Sequence, residues 1–299
     1  MPWRRAGRGR HRLASARGSV ERRAAPRRTY RTRRLGAVYT RHGRGDPLVL
    51  VHGLGHRRQA WDPVLPRLAR HREVIALDLP GFGESPPLPA GESYDVPTAM
   101  ERFAELFAEL GLGAPHVAGS SLGGALALEL GARGMVSSVT ALAPAGFWTP
   151  LERRWALTLL STTRMSARVP DIVLRRVAAD QRVRTSMINL LYAHPERQDP
   201  DAFLGDARAL KASAGFAPML AFGRSYECTA EPAVPATVAW GTRDRMLPPL
   251  QAARARRRLP RATHMELRGC GHVPMVDDPA LVTRVLLAGS ASGLVTSAA

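Results

Sequence analysis

Residues 117–128 read Val-Ala-Gly-Ser-Ser-Leu-Gly-Gly-Ala-Leu-Ala-Leu, an apolar segment that passes through a glycine-flanked serine into an alanine- and leucine-rich run. A serine hydroxyl is a weak nucleophile, so a catalytic serine must be presented to a general base. Gly119 and Gly123 stand two residues on either side of Ser121, where side chains would collide across a sharp turn. Ser120 is the alternative nucleophile, but it lacks this symmetrical glycine spacing. The stretch predicts a strand, a tight turn that presents Ser121, and a helix.

Strand-like segments recur on both sides of this turn. They occupy residues 48–51, 73–77, 138–143, 235–240 and 263–267, and all but the last are rich in valine, isoleucine, leucine and alanine. Such continuous apolar runs are typical of strands that are covered on both faces of a parallel sheet. Helical patterns separate most of them, so the chain predicts an α/β fold with a mostly parallel sheet flanked by helices. Ligands of such sheets bind beyond the carboxyl ends of the strands, where the loops meet.

The pattern changes between residues 147 and 231. Apolar residues there recur at helical spacing, and prolines at 170, 195 and 200 interrupt them. We expect a helical cap at 147–231, inserted into a core formed by residues 34–146 and 232–288, and a flexible tail at 289–299. The tryptophan, methionine and phenylalanine residues of the insertion predict an apolar pocket roof, with Trp148 as a candidate substrate contact.

The net charge of +18 is concentrated at the start of the chain, because residues 1–44 hold 15 arginines and one glutamate. A segment with so much like charge and so few aliphatic side chains predicts disorder, which we assign to residues 1–33. A dispensable extension is the favoured interpretation. Contact of this arm with nucleic acid or an acidic lipid surface stays open as an alternative. An organelle-targeting peptide is a further, less favoured one.

Two cysteines, Cys228 and Cys270, make neither a disulfide framework nor a metal site, which favours free thiols in a reducing cytoplasm. No apolar run approaches the length of about 18 residues that a membrane-spanning helix needs. The sequence carries no cofactor or metal motif, so we expect neither group. At 299 residues and 45% apolar composition, the chain can bury a large core.

Two further turns follow strand-like segments, at Asp244 and at His272. The order Ser121, Asp244, His272, together with the glycine-flanked serine, resembles the α/β-hydrolase superfamily. The resemblance covers residues 35–288 and depends on four matches, which are Leu50-Val51-His52-Gly53, residues 78–83, residues 119–123, and residues 241–244 with Gly271-His272. It is similar to the cap-bearing branch that includes esterases, carbon–carbon bond hydrolases and serine haloperoxidase-like proteins.

The resemblance implies a role for each matched position. Ser121 would be the nucleophile, His272 the base and Asp244 the group that orients the imidazole. The backbone amides of Leu54 and Leu122 would form the oxyanion hole. The family's other position for the acid, after the strand that ends at Ala143-Pro144, offers no carboxylate. Candidate pocket residues are His52, His56 and Ser120, besides Trp148.

The leading functional hypothesis is a serine hydrolase that cleaves an ester or related acyl bond of a small apolar substrate. Carbon–carbon bond hydrolysis, peracid formation and acyl transfer use the same serine and stay open. A ligand-binding protein on a hydrolase fold that has lost its activity is the third alternative, because a fold alone does not define a reaction.

Overall fold

The computed structural model describes residues 28–291, and these form one eight-stranded sheet. Its strands are β1 (Thr29–Arg31), β2 (Val38–His42), β3 (Pro47–Val51), β4 (Glu73–Leu77), β5 (His116–Ser120), β6 (Ser138–Leu142), β7 (Ala236–Gly241) and β8 (Thr263–Leu267). The spatial order is β1-β2-β4-β3-β5-β6-β7-β8. The first two strands run antiparallel to their neighbours, and the other pairs are parallel. The predicted mostly parallel α/β sheet is confirmed.

The helices connect the strands across both faces of the sheet. They are α1 (Leu65–Leu68), α2 (Val96–Leu110), α3 (Leu122–Ala132), α4 (Pro150–Ser166), α5 (Asp171–Ala179), α6 (Gln181–Ile188), α7 (Pro200–Ala212), α8 (Phe216–Gly223), α9 (Leu250–Arg258), α10 (Pro274–Asp277) and α11 (Pro279–Gly289). Short 3-10 helices lie at Arg58–Trp61 and Pro195–Arg197. The α2 helix shows why the elements end where they do, since the Asp95 side chain caps its first turn and Gly111, with φ of 67°, ends it.

Apolar side chains fill a layer on each face of the sheet. In β3, Val49 and Val51 belong to the layer that contains α2 and α3, whereas Leu48 and Leu50 belong to the layer that contains α1 and α11. This alternation follows from the two-residue period of a strand. Both faces of the central strands are therefore covered by apolar side chains. A ligand-binding site can form only at the strand ends.

Helices α4 to α8 lie between β6 and β7 in the chain and are called the inserted helices below. They occupy residues 150–223, inside the predicted insertion at 147–231. Several begin with identifiable signals. The α4 helix starts in a capping box, in which Thr149 and Glu152 satisfy each other's backbone amides, and the Asp199 side chain caps α7. These local signals explain why the sequence pattern changes from strand to helix there.

Both predicted ends of the ordered chain need correction. Predicted disorder at 1–33 is wrong for the described part of that range, because Thr29–Arg31 pairs with β2 and the Tyr30 ring stacks on Tyr39 at 5.4 Å. Strand pairing and ring stacking stabilise these residues against the repulsion of like charges, and a count of charges does not include such contacts. The predicted tail at 289–299 also begins too early, since Ser290 is buried and its carbonyl accepts a hydrogen bond from Arg72. Residues 1–27 and 292–299 lie outside the described residues.

Candidate active site

Ser121 sits on the turn between β5 and α3 with φ of 54° and ψ of −114°. A non-glycine residue rarely adopts a positive φ, and such strain is typical of functional turns. Three backbone hydrogen bonds hold this geometry: the Ser121 amide donates to the Leu142 carbonyl at 2.9 Å, and its carbonyl accepts from Ala125 and Ala145. The turn is therefore fixed by the sheet on one side and by the helix on the other.

The flanking glycines are required by contacts across this turn. A Cβ at Gly119 would lie 2.0 Å from the carbonyl oxygen of Gly123, and one at Gly123 would lie 2.2 Å from the carbonyl oxygen of Val51. Backbone atoms cannot move aside as the end of a side chain can. The sequence argument for glycine at these two positions is confirmed, and it leaves Ser121 with its side chain at the carboxyl end of the sheet.

His272 and Asp244 meet at the same edge, on the loops that follow β8 and β7. The His272 Nδ1 atom lies 2.8 Å from Asp244 Oδ2, and both side chains are buried. The other Asp244 oxygen accepts the backbone amides of Met246 at 2.9 Å and Leu247 at 2.8 Å. Those amides hold the carboxylate in place. Because the Asp244 carboxylate accepts a hydrogen bond at Nδ1, the imidazole proton is assigned to that nitrogen. The Nε2 atom is then left as an acceptor.

Ser121 and His272 line one cavity of about 270 Å³ between the strand ends and the inserted helices. Its wall is mostly apolar and includes Leu159, Leu160, Leu174, Ile188, Phe203 and Leu210. Both the sheet edge and the helices contribute to it. An apolar cavity with a few placed polar groups is the usual form of a small-molecule site.

The loop after β3 runs beside the serine. An ideal Cβ on Gly53 would lie 3.2 Å from Ser121 Cβ, and Leu54 lines the cavity. Neither the Leu54 amide nor the Leu122 amide donates a hydrogen bond to another residue within 28–291. Leu122 is the first residue of α3, where amides have no partner inside the helix. Two unused donors are therefore available near Ser121.

One wall of the cavity is polar. It carries His56, Gln198, Asp206 and the buried Tyr192. Asp206 is paired with Arg57, whose Nε lies 2.8 Å from Oδ1, and it accepts from Gln198 Nε2 at 3.3 Å. Burial lowers the pKa of His56, although the nearby Asp206 carboxylate opposes this effect, so the ring is neutral near pH 7. The wall thus offers hydrogen bonds without a net charge.

A buried ion pair also holds the loop that follows β3. The Arg58 guanidinium contacts the Asp78 carboxylate, and the Arg58 amide donates to Asp78 Oδ1 at 2.6 Å. Glu84 accepts from the same guanidinium at 2.6 Å. Removing one partner of a buried pair is costly because it leaves the other charge uncompensated. This contact joins the loops after β3 and β4.

The structure corrects two predicted pocket residues. His52 lies behind the loop rather than in the cavity, where its Nε2 accepts the Leu79 amide at 3.0 Å and its Nδ1 contacts the Gly53 carbonyl at 2.8 Å. Trp148 is likewise absent from the cavity wall, and its indole donates to the Tyr226 carbonyl at 3.1 Å. Each ring bonds to the backbone of a segment that is remote in the chain, which a sequence pattern does not reveal. His56 and Ser120 do line the cavity.

Several residues at the site were not anticipated from the sequence, namely Arg57, Arg58, Tyr192, Gln198 and Asp206. Their partners are remote in the chain, as the Arg57–Asp206 pair shows, so no local spacing marks them. A glycine offers one retrospective signal. A Cβ at Gly205 would lie 2.1 Å from the Arg57 guanidinium, so this helical glycine leaves room for the arginine.

A second cavity, of about 340 Å³, lies against α2 and the proline-rich loop at 86–89. It is larger, but neither Ser121 nor His272 lines it. Chemistry rather than size therefore identifies the candidate site. Within residues 28–291, no group of three or more histidine, cysteine or carboxylate side chains is arranged to hold a metal ion. None of the helices in that range has the length and apolarity to cross a membrane.

Known proteins share this architecture. The chain is 29% identical over 266 residues to the dihydrolipoyllysine-residue acetyltransferase component of the acetoin cleaving system of Pseudomonas putida, covering 82% of this chain and 63% of that protein's length. It is 42% identical over 94 residues to the 2-hydroxy-6-oxo-2,4-heptadienoate hydrolase of Pseudomonas putida, covering 30% of this chain and 34% of that one. A bacterial membrane phospholipase A matches with a TM-score of 0.67 and 27% identity, over 89% of this chain and 86% of that one.

The acetyltransferase component is longer than the match, since this chain spans less than two thirds of it. Its function therefore does not transfer with the fold. The family model is more general and covers more of the chain, because it matches residues 48–285, from β3 to α11. That range includes the serine turn, the inserted helices and both loops that bring Asp244 to His272. On this match, the chain belongs to the alpha/beta hydrolase family.

Proposed function

We propose that this protein is a serine hydrolase that cleaves an ester or related acyl bond of a small apolar substrate. The observation that carries the proposal is the 2.8 Å contact of His272 with Asp244 in a cavity that Ser121 also lines. A base oriented by a carboxylate, beside a serine on a strained turn, is the arrangement that serine-dependent acyl transfer needs. Membership of a family of generally hydrolytic enzymes supports it.

In the proposed reaction, Ser121 Oγ attacks the substrate carbonyl while His272 Nε2 takes the hydroxyl proton. The Asp244 carboxylate stabilises the imidazolium that forms. The tetrahedral intermediate then collapses, the alcohol leaves with the proton from His272, and an acyl-enzyme remains. Water, deprotonated by His272, attacks the acyl-enzyme and releases the acid. Each proton that His272 takes returns to a leaving group, so the enzyme ends as it began.

The developing oxyanion would accept from the Leu54 and Leu122 amides. Both are free of other partners within residues 28–291, so no existing bond must break. Losing one such donor typically costs on the order of 10²-fold in rate. The unpaired amide at the start of α3 also carries the positive end of the helix dipole, which favours an anion there.

The cavity supports an apolar acyl or alcohol group, with a polar group facing His56, Gln198 and Asp206. A second candidate reaction is the hydrolysis of a carbon–carbon bond in a vinylogous diketone, by the same serine. The local 42% identity with the heptadienoate hydrolase favours this second candidate. Both cysteines are free, which suits a reducing compartment, and we place the activity in the cytoplasm.

A fluorophosphonate probe tests the proposal, because it labels serines that are activated as nucleophiles. We expect labelling of the wild-type chain, mapped by peptide mass spectrometry to Ser121 rather than Ser120, and none in Ser121→Ala. Ser138→Ala is the matched control, since Ser138 also contacts a histidine but lies at the other end of the sheet. Labelling that persists in Ser121→Ala, or a wild-type chain that is never labelled, would contradict the proposal and favour a non-catalytic ligand-binding protein.

An ester panel then separates the two reactions. We expect turnover of p-nitrophenyl esters with short to medium acyl chains, because a cavity of about 270 Å³ holds a small group. Activity confined to a vinylogous diketone would favour carbon–carbon cleavage instead. Ser121→Ala is inactive under either reaction.

A further inference from the structure

Exposed apolar side chains are concentrated on the inserted helices. Of the nine large apolar residues that are exposed in the described part of the chain, seven lie between residues 150 and 188; these are Leu151, Trp155, Met165, Ile172, Val173, Val183 and Met187. Scattered single residues of this kind need no explanation, but such a concentration indicates an interaction surface. Two more, Tyr30 and Leu250, lie elsewhere.

In α4 and in α6 the exposed apolar residues share a face. In α4, Leu151, Trp155 and Met165 are separated by four and ten residues, which places them on one side of the helix. In α6, Val183 and Met187 are four residues apart. Leu160, on the opposite side of α4, lines the cavity, as does Ala167 just after the helix ends. The inserted helices thus present one apolar side to the cavity and a second to solvent.

This outer surface reaches the opening of the cavity at Met187. Thr162 and Ser166 of α4 and Met187 of α6 line the cavity and are also exposed, so they form its mouth. The Trp155 indole donates to the Arg245 carbonyl at 3.1 Å, and the Arg245 side chain donates to the Asn189 carbonyl at 3.3 Å. These bonds link the outer face of α4 to the end of α6 through Arg245.

The surface is also positively charged. Residues 150–188 contain eight arginines and three acidic residues. Arg154, Arg168, Arg176 and Arg182 are exposed, and none of them pairs with a carboxylate within residues 28–291. The Arg175 side chain, by contrast, is paired with Asp171. Unpaired arginines beside exposed apolar groups are the composition of helices that lie at an anionic lipid surface.

We propose that the outer surface of α4, α5 and α6 docks on an anionic lipid bilayer, so that the cavity mouth opens onto the membrane. Charge complementarity comes from the unpaired arginines, and the apolar residues around the mouth would enter the interfacial region. A lipid surface fits better than an acidic protein, because an apolar substrate could pass from the bilayer into the cavity, whereas a docked protein would cover the mouth. The binding itself needs no catalytic step.

The test uses the full-length chain carrying Ser121→Ala, so that lipid is not consumed and the result is independent of the proposed reaction. Sedimentation with phosphatidylcholine vesicles, with and without phosphatidylglycerol, measures partitioning. We expect binding that needs the anionic lipid. The double variant Met165→Gln/Ile172→Gln should weaken it about tenfold or more. Arg168→Gln and Arg182→Gln should each weaken it about fivefold.

Two control variants test whether the loss of binding is specific to the inserted helices. Arg70→Gln removes an exposed arginine that precedes β4, at the amino end of the sheet, and should leave partitioning unchanged. Tyr30→Gln removes an exposed apolar side chain on β1 and should likewise leave partitioning unchanged. Both matched variants lie away from the mouth.

Tryptophan quenching by brominated lipids adds a readout of position. We expect quenching in the parent chain and its loss in Trp155→Phe, because Trp155 is exposed on the proposed docking surface. Quenching that persists in Trp155→Phe, partitioning that the Met165 and Ile172 substitutions leave unchanged, or binding to polyglutamate but not to vesicles would each overturn the proposal. The last result would point to an acidic protein partner.

Discussion

The two ends of the central sheet each hold a buried histidine with a hydrogen-bonded partner at 2.8 Å. At the carboxyl end, His272 Nδ1 contacts the Asp244 carboxylate. At the amino end, His116 Nδ1 contacts the hydroxyl of Ser138, on the neighbouring strand. Judged by distance alone, the second pair has the more direct serine–histidine contact. Their surroundings differ in every respect that matters for catalysis.

Ser138 is the first residue of β6 and its hydroxyl donates to the Gly289 carbonyl at 2.8 Å, so it acts as a structural link to α11. Neither His116 nor Ser138 lines either of the cavities described above. Burial lowers the pKa of His116, and the nearby Arg72 lowers it further. The comparison shows that a serine–histidine contact does not define a site. A carboxylate behind the base and open space beside the serine are also needed.

The largest expected effect is on kcat, and it distinguishes His272, which has a carboxylate partner, from His116, which does not. Asp244→Asn should lower kcat for ester hydrolysis by about 10³- to 10⁴-fold, because an amide no longer stabilises the imidazolium or fixes the proton on Nδ1. His116→Gln should change kcat less than about twofold, since that ring only joins strands. Steady-state kinetics on one p-nitrophenyl ester, with thermal unfolding as a folding control, measures both. Equal losses in the two variants would remove the distinction between the ends.

Two glycines, one at each end of the sheet, extend the comparison to the stability of the fold. Gly119→Ala at the carboxyl end should lower the free energy of unfolding by about 4 kcal/mol or more, because the new methyl group would lie 2.0 Å from the Gly123 carbonyl oxygen. Gly113→Ala, just before β5 at the amino end, meets no atom within 4 Å and should change it by less than about 1 kcal/mol. Urea denaturation of both variants checks this. A tolerated Gly119→Ala would mean that the turn has another conformation.

The parts of the molecule that sequence predicts well are local. The strand, turn and helix around Ser121 depend on neighbouring residues, because the steric demand of the turn falls on Gly119 and Gly123 two positions away. Parallel strands then bring the loops after β7 and β8 to the same edge, and the resemblance to the α/β-hydrolase superfamily implied that Asp244 orients His272 there. The contact between these two side chains agrees with that expectation.

The parts that sequence could not predict depend on contacts between distant segments. His52 follows a buried strand, and nothing in its neighbours tells whether its ring points to the cavity or bonds to the Leu79 amide behind it. The Arg57–Asp206 pair joins the loop after β3 to α7, and no spacing encodes it. At the start of the chain, charge density predicted disorder for Thr29–Arg31, although pairing with β2 orders these residues.

The smallest expected effect concerns pH and compares His52, at the carboxyl end of β3, with His116. Burial lowers the pKa of His52 from 6.5 to about 4. The unfolded chain therefore binds a proton on this residue as the pH falls through 6.5, whereas the folded chain does so only near 4. The free energy of unfolding should fall across that window, by on the order of 3 kcal/mol, with no further loss from this residue below it.

His52→Gln should remove this part of the pH dependence, because the amide oxygen can still accept from Leu79 but does not titrate in the window. His116→Gln removes another histidine whose pKa is lowered. It should leave the contribution of His52 to the pH dependence of stability intact. Urea denaturation at several pH values between 6.5 and 4 measures the slope for each variant. His56, whose pKa burial also lowers, is present in both variants and so cancels in their comparison. If His52→Gln keeps the wild-type slope, the histidine behind the serine loop is not held neutral by its burial, and the carboxyl end would be better hydrated than the structure indicates.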